Sequence, residues 1–243
     1  MSDQRERPIL FSGPMVRAIL AGRKTQTRRP VDMRHVGFIG GSGMQDDPSC
    51  WGFGDEDGCW HVLDQSCPAW YGADFGVTSE SYRITSPFGY ADDLLWVRET
   101  WQFADWTLDG EPFIGYRADD AQELRSPDSE EWGERLANIW ADLSADGRQP
   151  AADLIWRPSI HMPRWASRLT LEVTGVRVER LQAISADDAR AEGAWRTPAG
   201  SAIYSVEPPE FEHLWDDSYG SRPGCSWSDN PWVWVVEFRR IEA

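Results

Sequence analysis

The sequence has almost no lysine: of its 24 basic residues, 23 are arginine and the exception is Lys24. Arginine stays protonated at any accessible pH, so it supplies positive charge but not a free base. A lysine that is desolvated or crowded by other cations can lose its proton and act as a base or nucleophile. The single lysine therefore indicates a chemical role for Lys24. The alternative is that it is one ordinary lysine kept in an arginine-rich chain.

Cysteine and histidine are also scarce. Three of the four cysteines, Cys50, Cys59 and Cys67, fall close together with His61 among them. Their spacing lacks the CxxC pair that is typical of zinc sites, and a disulfide is not expected in a cytoplasmic protein. We therefore expect reduced thiols here, no metal and no cofactor, with a zinc ion on this cluster as the alternative.

Long apolar runs and targeting signals are missing. No run approaches the roughly 20 residues that a membrane-spanning helix needs. The first eight residues are charged and contain no signal-peptide core. The motifs GxSxG, GxxxxGK[ST], HExxH and GxGxxG do not occur either, which argues against several common hydrolase, nucleotide and metalloprotease sites. We expect a cytoplasmic protein with no membrane contact.

Negative charge dominates, with 40 acidic residues against 24 basic ones and a net charge of −16. Residues 1–35 carry eight basic and three acidic side chains (+5), and the remainder carries 16 and 37 (−21). Such acidity argues against binding long duplex nucleic acid through its phosphates, although acidity can also simply serve solubility. It leaves room for a small basic pocket that holds a nucleoside or a single-stranded nucleic acid end.

The apolar patterns predict an α+β fold. Strands are expected at 9–11, 94–101, 168–181 (bent at Gly175) and 232–238, and short helices after Ser12, after Ser185 and from 208 to 215. Non-adjacent strands with short helices between them are typical of a small β-barrel decorated by helices. Two long insertions, 35–92 with one hairpin and 103–157 with an amphipathic helix, interrupt this domain.

Lys24 and Thr27 lie three residues apart, directly after the first predicted helix. A neutral lysine beside a threonine hydroxyl can take its proton and make the oxygen nucleophilic. Arg28 or Arg29 can then bind a carbonyl oxygen, a phosphate or a base edge. The alternative is that Thr25 and Thr27 cap a turn and that the arginines form surface ion pairs.

Residues 21–29, Ala-Gly-Arg-Lys-Thr-Gln-Thr-Arg-Arg, resemble the signature of ASCH-domain proteins, which are relatives of the PUA domain with a small β-barrel fold. Residues 93–101, the 169–181 strand with its Ser-capped helix, and the closing strand follow in the same order. The chain is most similar to the longer ASCH proteins of bacteriophage genomes. The resemblance covers roughly half of the chain and implies one PUA-like domain over 1–243. Asp92 departs from the family, which often has glycine there, at a cost local to the turn.

The resemblance implies modified nucleosides or RNA as ligands. Some small bacterial members are metal-independent amidohydrolases that act on N4-acetylcytidine, and their lysine, threonine and glutamate match Lys24, Thr27 and Glu192. An arginine of these enzymes matches Arg29. Other members bind RNA without known catalysis, and some have nuclease activity.

We therefore expect a basic pocket that binds a modified nucleobase and hydrolyses an N-acyl amide on it. Lys24, Thr27 and Glu192 would be catalytic, and the substrate would be held by Arg28, Arg29, Trp96, Glu99, His161 and Trp165. The two tryptophans would stack on the base, and a structural histidine is the alternative for His161. The competing predictions are a non-catalytic module that binds RNA or a modified base, and a ribonuclease.

Glu192 stands at the end of the helix that Ser185 caps. A carboxylate there opposes the helix dipole, so a partner outside the helix would explain it. The arginine-rich segment around Lys24 is the strongest candidate by charge. The alternative is a frayed helix end with Glu192 in solvent.

Overall fold

A computed structural model describes residues 4–32, 51–56, 59–64, 83–84, 86–145, 155–193 and 208–241. In chain order its strands and helices are β1 (Glu6–Leu10), α1 (Gly13–Leu20), β2 (Gln26–Pro30), β3 (Trp51–Glu56), β4 (Cys59–Asp64), β5 (Arg83–Ile84), β6 (Leu94–Arg98), β7 (Trp101–Trp106), β8 (Pro112–Tyr116), β9 (Ala121–Leu124), α2 (Glu130–Ala145), β10 (Thr170–Arg180), α3 (Ala186–Ala191), α4 (Pro208–Tyr219) and β11 (Trp232–Ile241). The predicted α+β class is confirmed.

The chain divides into two compact units. The first comprises Met1–Lys24, Asp93–Glu172 and Arg239–Ala243, and the second comprises Thr25–Asp92 and Val173–Phe238. Among the helices that the structure describes, none has the length and apolar character needed to cross a bilayer.

The first unit contains two sheets. In one, β1 runs parallel to β6, and β6 pairs antiparallel with the start of β10. The other is an antiparallel meander of β7, β8 and β9. Aromatic residues fill the core beside this meander, because β7 and β8 direct Trp101, Phe103, Ile114 and Tyr116 inwards against Leu136 of α2.

Helix α1 positions Lys24, the last residue of the first chain segment of this unit. Pro14 occupies its first turn, where a missing N–H costs nothing, and Val16, Ala18 and Ile19 are buried. The chain then turns at Gly22, whose φ of 68° lies in the left-handed region that favours glycine. Gly22 therefore ends α1 and redirects the chain towards Lys24.

The second unit contains the rest of β10, followed in the sheet by β11 and β2. β2 pairs antiparallel with β11, so Thr27 lies opposite Val236 and Arg28 opposite Val235. The strands β3, β4 and β5 form a separate sheet. Helices α3 and α4 cover an apolar cluster that comprises Leu181, Ile184, Ala189, Phe211, Trp215, Val233 and Val235.

Helix α3 begins at a capping box, in which Ser185 accepts from the Asp188 N–H and Asp188 accepts in return from the Ser185 N–H. The predicted helix after Ser185 is therefore confirmed. Asp92 adopts a φ of 74° and its N–H donates to the Val173 carbonyl at 2.9 Å. This left-handed geometry is one that glycine adopts most easily and aspartate tolerates.

Three predictions need correction. The strand expected at 94–101 ends at Arg98, and a different sheet begins at Trp101. The 103–157 segment holds most of a three-stranded sheet besides its helix. These strands were not predicted, because the alternation of apolar and polar residues there is too weak to reveal short strands. The strands that the structure describes do not close the expected barrel, because in each of their sheets the first and last strands are edge strands that do not pair with each other. The hairpin expected within 35–92 is confirmed by β3 and β4.

Candidate functional site

Lys24 is buried, with 2% of its surface exposed. The Arg23 and Lys24 N–H groups both donate to the Ala18 carbonyl of α1, at 2.8 and 3.1 Å, which fixes the backbone here. The Lys24 amine lies 5.5 Å from the centre of the Phe11 ring. The only lysine is thus enclosed, next to an aromatic face that attracts a cation. An ordinary surface lysine does not fit this position.

Three consecutive side chains at the start of β2, Gln26, Thr27 and Arg28, are buried in the second unit. Because successive side chains of a strand point to opposite faces, Gln26 and Arg28 share one face, while Thr27 shares the other with Arg29. The Thr25 N–H donates to the Ala191 carbonyl at 2.9 Å. The end of α3 is thereby held against the start of β2.

The Arg28 side chain is 0% exposed and lies among three carboxylates. It forms a close ion pair with Glu179, and its Nη atoms lie 3.4 Å from Asp188 Oδ2 and 3.4 Å from Glu192 Oε1. The fully buried guanidinium is therefore compensated by charge from β10 and from α3. The predicted surface ion pairs of these arginines are wrong for Arg28, because this pairing is internal.

Arg177 extends the group. Its guanidinium reaches Glu179 at 3.1 Å and Asp188 at 3.3 Å, and it forms a close ion pair with Glu237. We call the two arginines with their four carboxylates the carboxylate cluster; its members are Arg28, Arg177, Glu179, Asp188, Glu192 and Glu237. Two cations serve four anions, so the cluster has a formal charge of −2.

Burial and hydrogen bonding act in opposite directions on the pKa of Asp188 in this cluster. Burial by itself would raise the pKa of its carboxyl, but hydrogen bonds from Ser185 and the nearby charge of Arg28 lower the pKa below its usual value of 3.8. The ionised carboxylate is therefore the form that the fold favours.

Glu192 follows the last residue of α3, and its N–H donates to the Asp188 carbonyl at 2.9 Å. Only 5% of its side chain is exposed, so the alternative of a frayed end in solvent is wrong. Glu192 meets the arginine-rich segment through Arg28, as its charge suggested. Its grouping with Lys24 and Thr27 stays a prediction.

Arg29 is half-buried, and its Nη1 donates to the Tyr219 hydroxyl of α4 at 2.6 Å. The two predicted substrate-binding arginines thus differ. Arg28 contacts carboxylates of β10 and α3, and Arg29 contacts the hydroxyl of Tyr219 on α4.

The remaining predicted substrate residues lie in the first unit. Trp96 is 8% exposed, with the guanidinium of Arg98 4.6 Å from its ring. Trp165 is 9% exposed and packs edge-to-face on Trp101, with ring centres 6.3 Å apart. His161 is exposed at the end of a short 3-10 helix. Both tryptophans therefore have ring faces already in contact with protein groups.

Glu99 is buried and bound by Arg168 through two hydrogen bonds of 2.8 and 3.0 Å. Burial raises the pKa of the Glu99 carboxyl, and the bonds and charge of Arg168 only partly offset this. Arg168 also contacts Asp119. Burial by itself would raise the pKa of the Asp119 carboxyl, but the hydrogen bonds and charge of Arg168, together with backbone hydrogen bonds, lower it below its usual value. Glu99 is thus part of an ion-paired group in the interior.

Sequence reasoning missed Arg177, Glu179 and Tyr219 as neighbours of the arginine-rich segment. A signal for the first two was present, because Arg177 and Glu179 alternate along the Val-Arg-Val-Glu stretch of β10 and so share one face. No sequence pattern links Tyr219 to Arg29, since 190 residues separate them.

Cys50 and Cys67 of the cysteine cluster lie outside the described residues, and only the backbone of Cys59 is described. Elsewhere in the described residues, no group of three or more His, Cys, Asp or Glu side chains is arranged to hold a metal ion.

No protein-family model, no curated protein and no solved structure matches this chain. Function is therefore inferred from the contacts above together with the ASCH-like motif around Lys24.

Proposed function

We propose that this chain is an ASCH-type protein with a PUA-like fold, that it binds a modified nucleobase, and that it hydrolyses an N-acyl amide on it, as in N4-acylcytidine. The observation that carries the proposal is the burial of Lys24, the only lysine, at 2% exposure, with an equally buried Thr27 three residues further along the chain.

Burial matters because it removes water from the amine and so favours its neutral, basic form. A threonine hydroxyl needs such a base to become a nucleophile. Arginine could supply the charge of Lys24 but not this proton acceptor.

In the proposed reaction the Lys24 amine accepts the Thr27 hydroxyl proton as Oγ1 bonds to the acyl carbon. The guanidinium of Arg29 stabilises the oxyanion that forms. The amide C–N bond then breaks, and Glu192 delivers a proton to the departing amine. Water then attacks the acyl-threonine ester: the Glu192 carboxylate takes a proton from the water, and the Lys24 ammonium returns its proton to Thr27 Oγ1 as the ester bond breaks. This restores the free enzyme and releases a carboxylic acid.

The first test is incubation of the full chain with a panel of N4-acylated cytidines, with detection of cytidine and the free acid. Lys24→Met and Thr27→Val keep side-chain size while removing the amine or the hydroxyl. We expect each to reduce turnover by at least about a hundredfold, the usual contribution of a general base or its partner, with thermal melting to confirm folding.

Thr25→Val is the matched control, because Thr25 is exposed and lies between the two proposed catalytic residues. It should leave turnover near that of the parent. Parent-like activity in either Lys24→Met or Thr27→Val would eliminate the mechanism, and absence of turnover for every acyl group would eliminate the enzyme.

A second candidate is a non-catalytic module that reads RNA or a modified base. The ion pair of Glu192 with the fully buried Arg28 favours it, since a carboxylate held in an ion pair is a poor proton donor. Saturable binding of N4-acetylcytidine or single-stranded RNA without turnover, and without RNA cleavage, would select this candidate.

A further inference from the structure

The guanidinium groups of two arginines of the first unit lie over tryptophan rings. The Arg157 guanidinium lies 5.7 Å from the ring centre of Trp101, and that of Arg135 lies 4.9 Å from the ring centre of Trp132. Other arginines of this unit form ion pairs with carboxylates; examples are Arg7, Arg125, Arg164, Arg168 and Arg239. Within the described residues, no carboxylate pairs with Arg135 or Arg157.

The rings connect the two arginines into one group. Trp101 contacts Trp165 at 6.3 Å between ring centres, and Trp165 contacts Trp132 at 5.8 Å. We call these five side chains the Trp/Arg cluster: Trp101, Trp132, Trp165, Arg135 and Arg157. The two arginines at the ends of this series of ring contacts also interact through their positive charges.

That influence is visible at Arg157. Burial, and then the charge of Arg135, lower the pKa of the Arg157 guanidinium. Both groups stay charged under physiological conditions, since arginine remains protonated in proteins. Two like charges are thus held near one another in a chain with 40 acidic residues.

Local structure holds this arrangement. Trp101 and Arg157 form a bridge, in which the Arg157 N–H donates to the Trp101 carbonyl at 2.7 Å and the Arg157 carbonyl accepts from the Trp101 N–H at 3.2 Å. Trp132 and Arg135 are three residues apart on α2 and so share a face. Leu136 next to them is fully buried, which anchors that face to the core.

The cluster also contains a buried donor without an acceptor. The Nε1–H of Trp165 is enclosed and has no hydrogen-bond partner, although the residue keeps 9% of its surface. A buried N–H of this kind costs free energy unless something accepts from it. Trp101 Nε1–H is enclosed and has no partner either, so both nitrogens belong to the interior of the cluster, and a ligand would contact the guanidiniums.

We propose that the Trp/Arg cluster binds a phosphate group, with Arg135 and Arg157 as its cationic partners. A phosphate monoester carries close to two negative charges at neutral pH, and its acceptor oxygens match two guanidiniums. Arg135 is exposed and Arg157 is half-buried. This site is independent of the proposed amide hydrolysis.

The test uses the full chain and three probes: inorganic phosphate, methyl phosphate and acetate. Calorimetry at constant ionic strength should show saturable binding of both phosphates.

Arg157→Gln and Arg135→Gln should each weaken phosphate binding by about tenfold or more, the usual worth of a charge-assisted hydrogen bond. Arg117→Gln is the matched control, because Arg117 is exposed and stands 5.6 Å from the ring of Trp156, outside the Trp/Arg cluster. It should bind phosphate like the parent. Should Arg157→Gln fail to fold, the exposed Arg135 variant decides alone.

Three results would overturn the proposal. One is the absence of saturable phosphate binding, and another is unchanged affinity in the arginine variants. The third is acetate binding as tightly as phosphate, which would indicate a general monoanion site. Loss of amidohydrolase activity with intact phosphate binding would affect only the proposed function.

Discussion

The carboxylate cluster of the second unit and the Trp/Arg cluster of the first use the same cation in opposite ways. In the carboxylate cluster, the buried Arg28 is surrounded by Glu179, Asp188 and Glu192. In the Trp/Arg cluster, Arg157 lies over the indole ring of Trp101, and burial and the charge of Arg135 lower its pKa. The first arrangement is satisfied by the chain itself, so its arginines hold the fold and position carboxylates. The second leaves positive charge for a ligand to neutralise.

The sharpest way to break this comparison is to remove Arg28. Arg28→Met should lower the free energy of unfolding by about 3–5 kcal/mol, because it removes a fully buried cation and leaves Arg177 alone among the four carboxylates of the cluster. Denaturant unfolding measures the loss. Arg190→Gln is the control, since Arg190 pairs with Asp187 at an exposed position of α3 and such pairs contribute about 0–1 kcal/mol. A loss no larger than that of the control would show that Arg28 is not structural.

Acid should weaken the carboxylate cluster. The pKa of Asp188 lies below 3.8 in the folded protein, so its contribution to stability is present above the unfolded value and is lost as pH falls through the folded one. Asp188→Asn should therefore destabilise the protein at neutral pH and flatten the decline of stability in acid. Unfolding midpoints between about pH 2 and pH 7 test this; parallel curves for parent and variant would contradict it.

Glu99 should show the opposite sign. Its pKa is raised above 4.5, so the protonated form is favoured in the fold and its contribution is lost as pH rises through the folded value. The stability of the parent relative to Glu99→Gln should therefore decrease as pH rises above about 4.5. The same unfolding series measures it. A relative stability that increases with pH would mean that Arg168 outweighs the cost of burial.

The smallest effect is expected in the Trp/Arg cluster. Arg135→Gln should change the free energy of unfolding by no more than about 0.5 kcal/mol, because the side chain is exposed and its loss relieves repulsion with Arg157. Added phosphate should raise the melting temperature of the parent and not that of the variant. A large destabilisation without phosphate would assign Arg135 to the fold.

Local patterns predicted the elements well where the pattern was strong. The Ser185 capping box, the Gly22 turn after α1 and the long strand β10 all follow from short-range preferences. The bend or bulge expected at Gly175 stays a prediction. A Cβ there would come within 3.2 Å of Glu237 Oε2, and this close approach joins residues far apart in sequence, so no local signal contains it.

The site was predictable only in part. The lone Lys24 and the motif around it marked the segment, and the burial of Lys24 and Thr27 agrees with that emphasis. Arg28 was predicted to bind substrate, yet its charge is taken up by three carboxylates. The residue type was evident, but its partners depended on how β10 and α3 pack on β2.

The sequence by itself determined the α+β class, the helix starts and stops, the one chemically distinct lysine and the excess of negative charge, because these depend on composition and on neighbours within a few residues. Only the tertiary structure decided which arginines are neutralised and which are not. Opposite charges 150 residues apart meet at Arg28, whereas Arg135 and Arg157 meet tryptophans. Such pairing is set by packing between distant elements, where burial makes an unmatched charge costly and therefore informative.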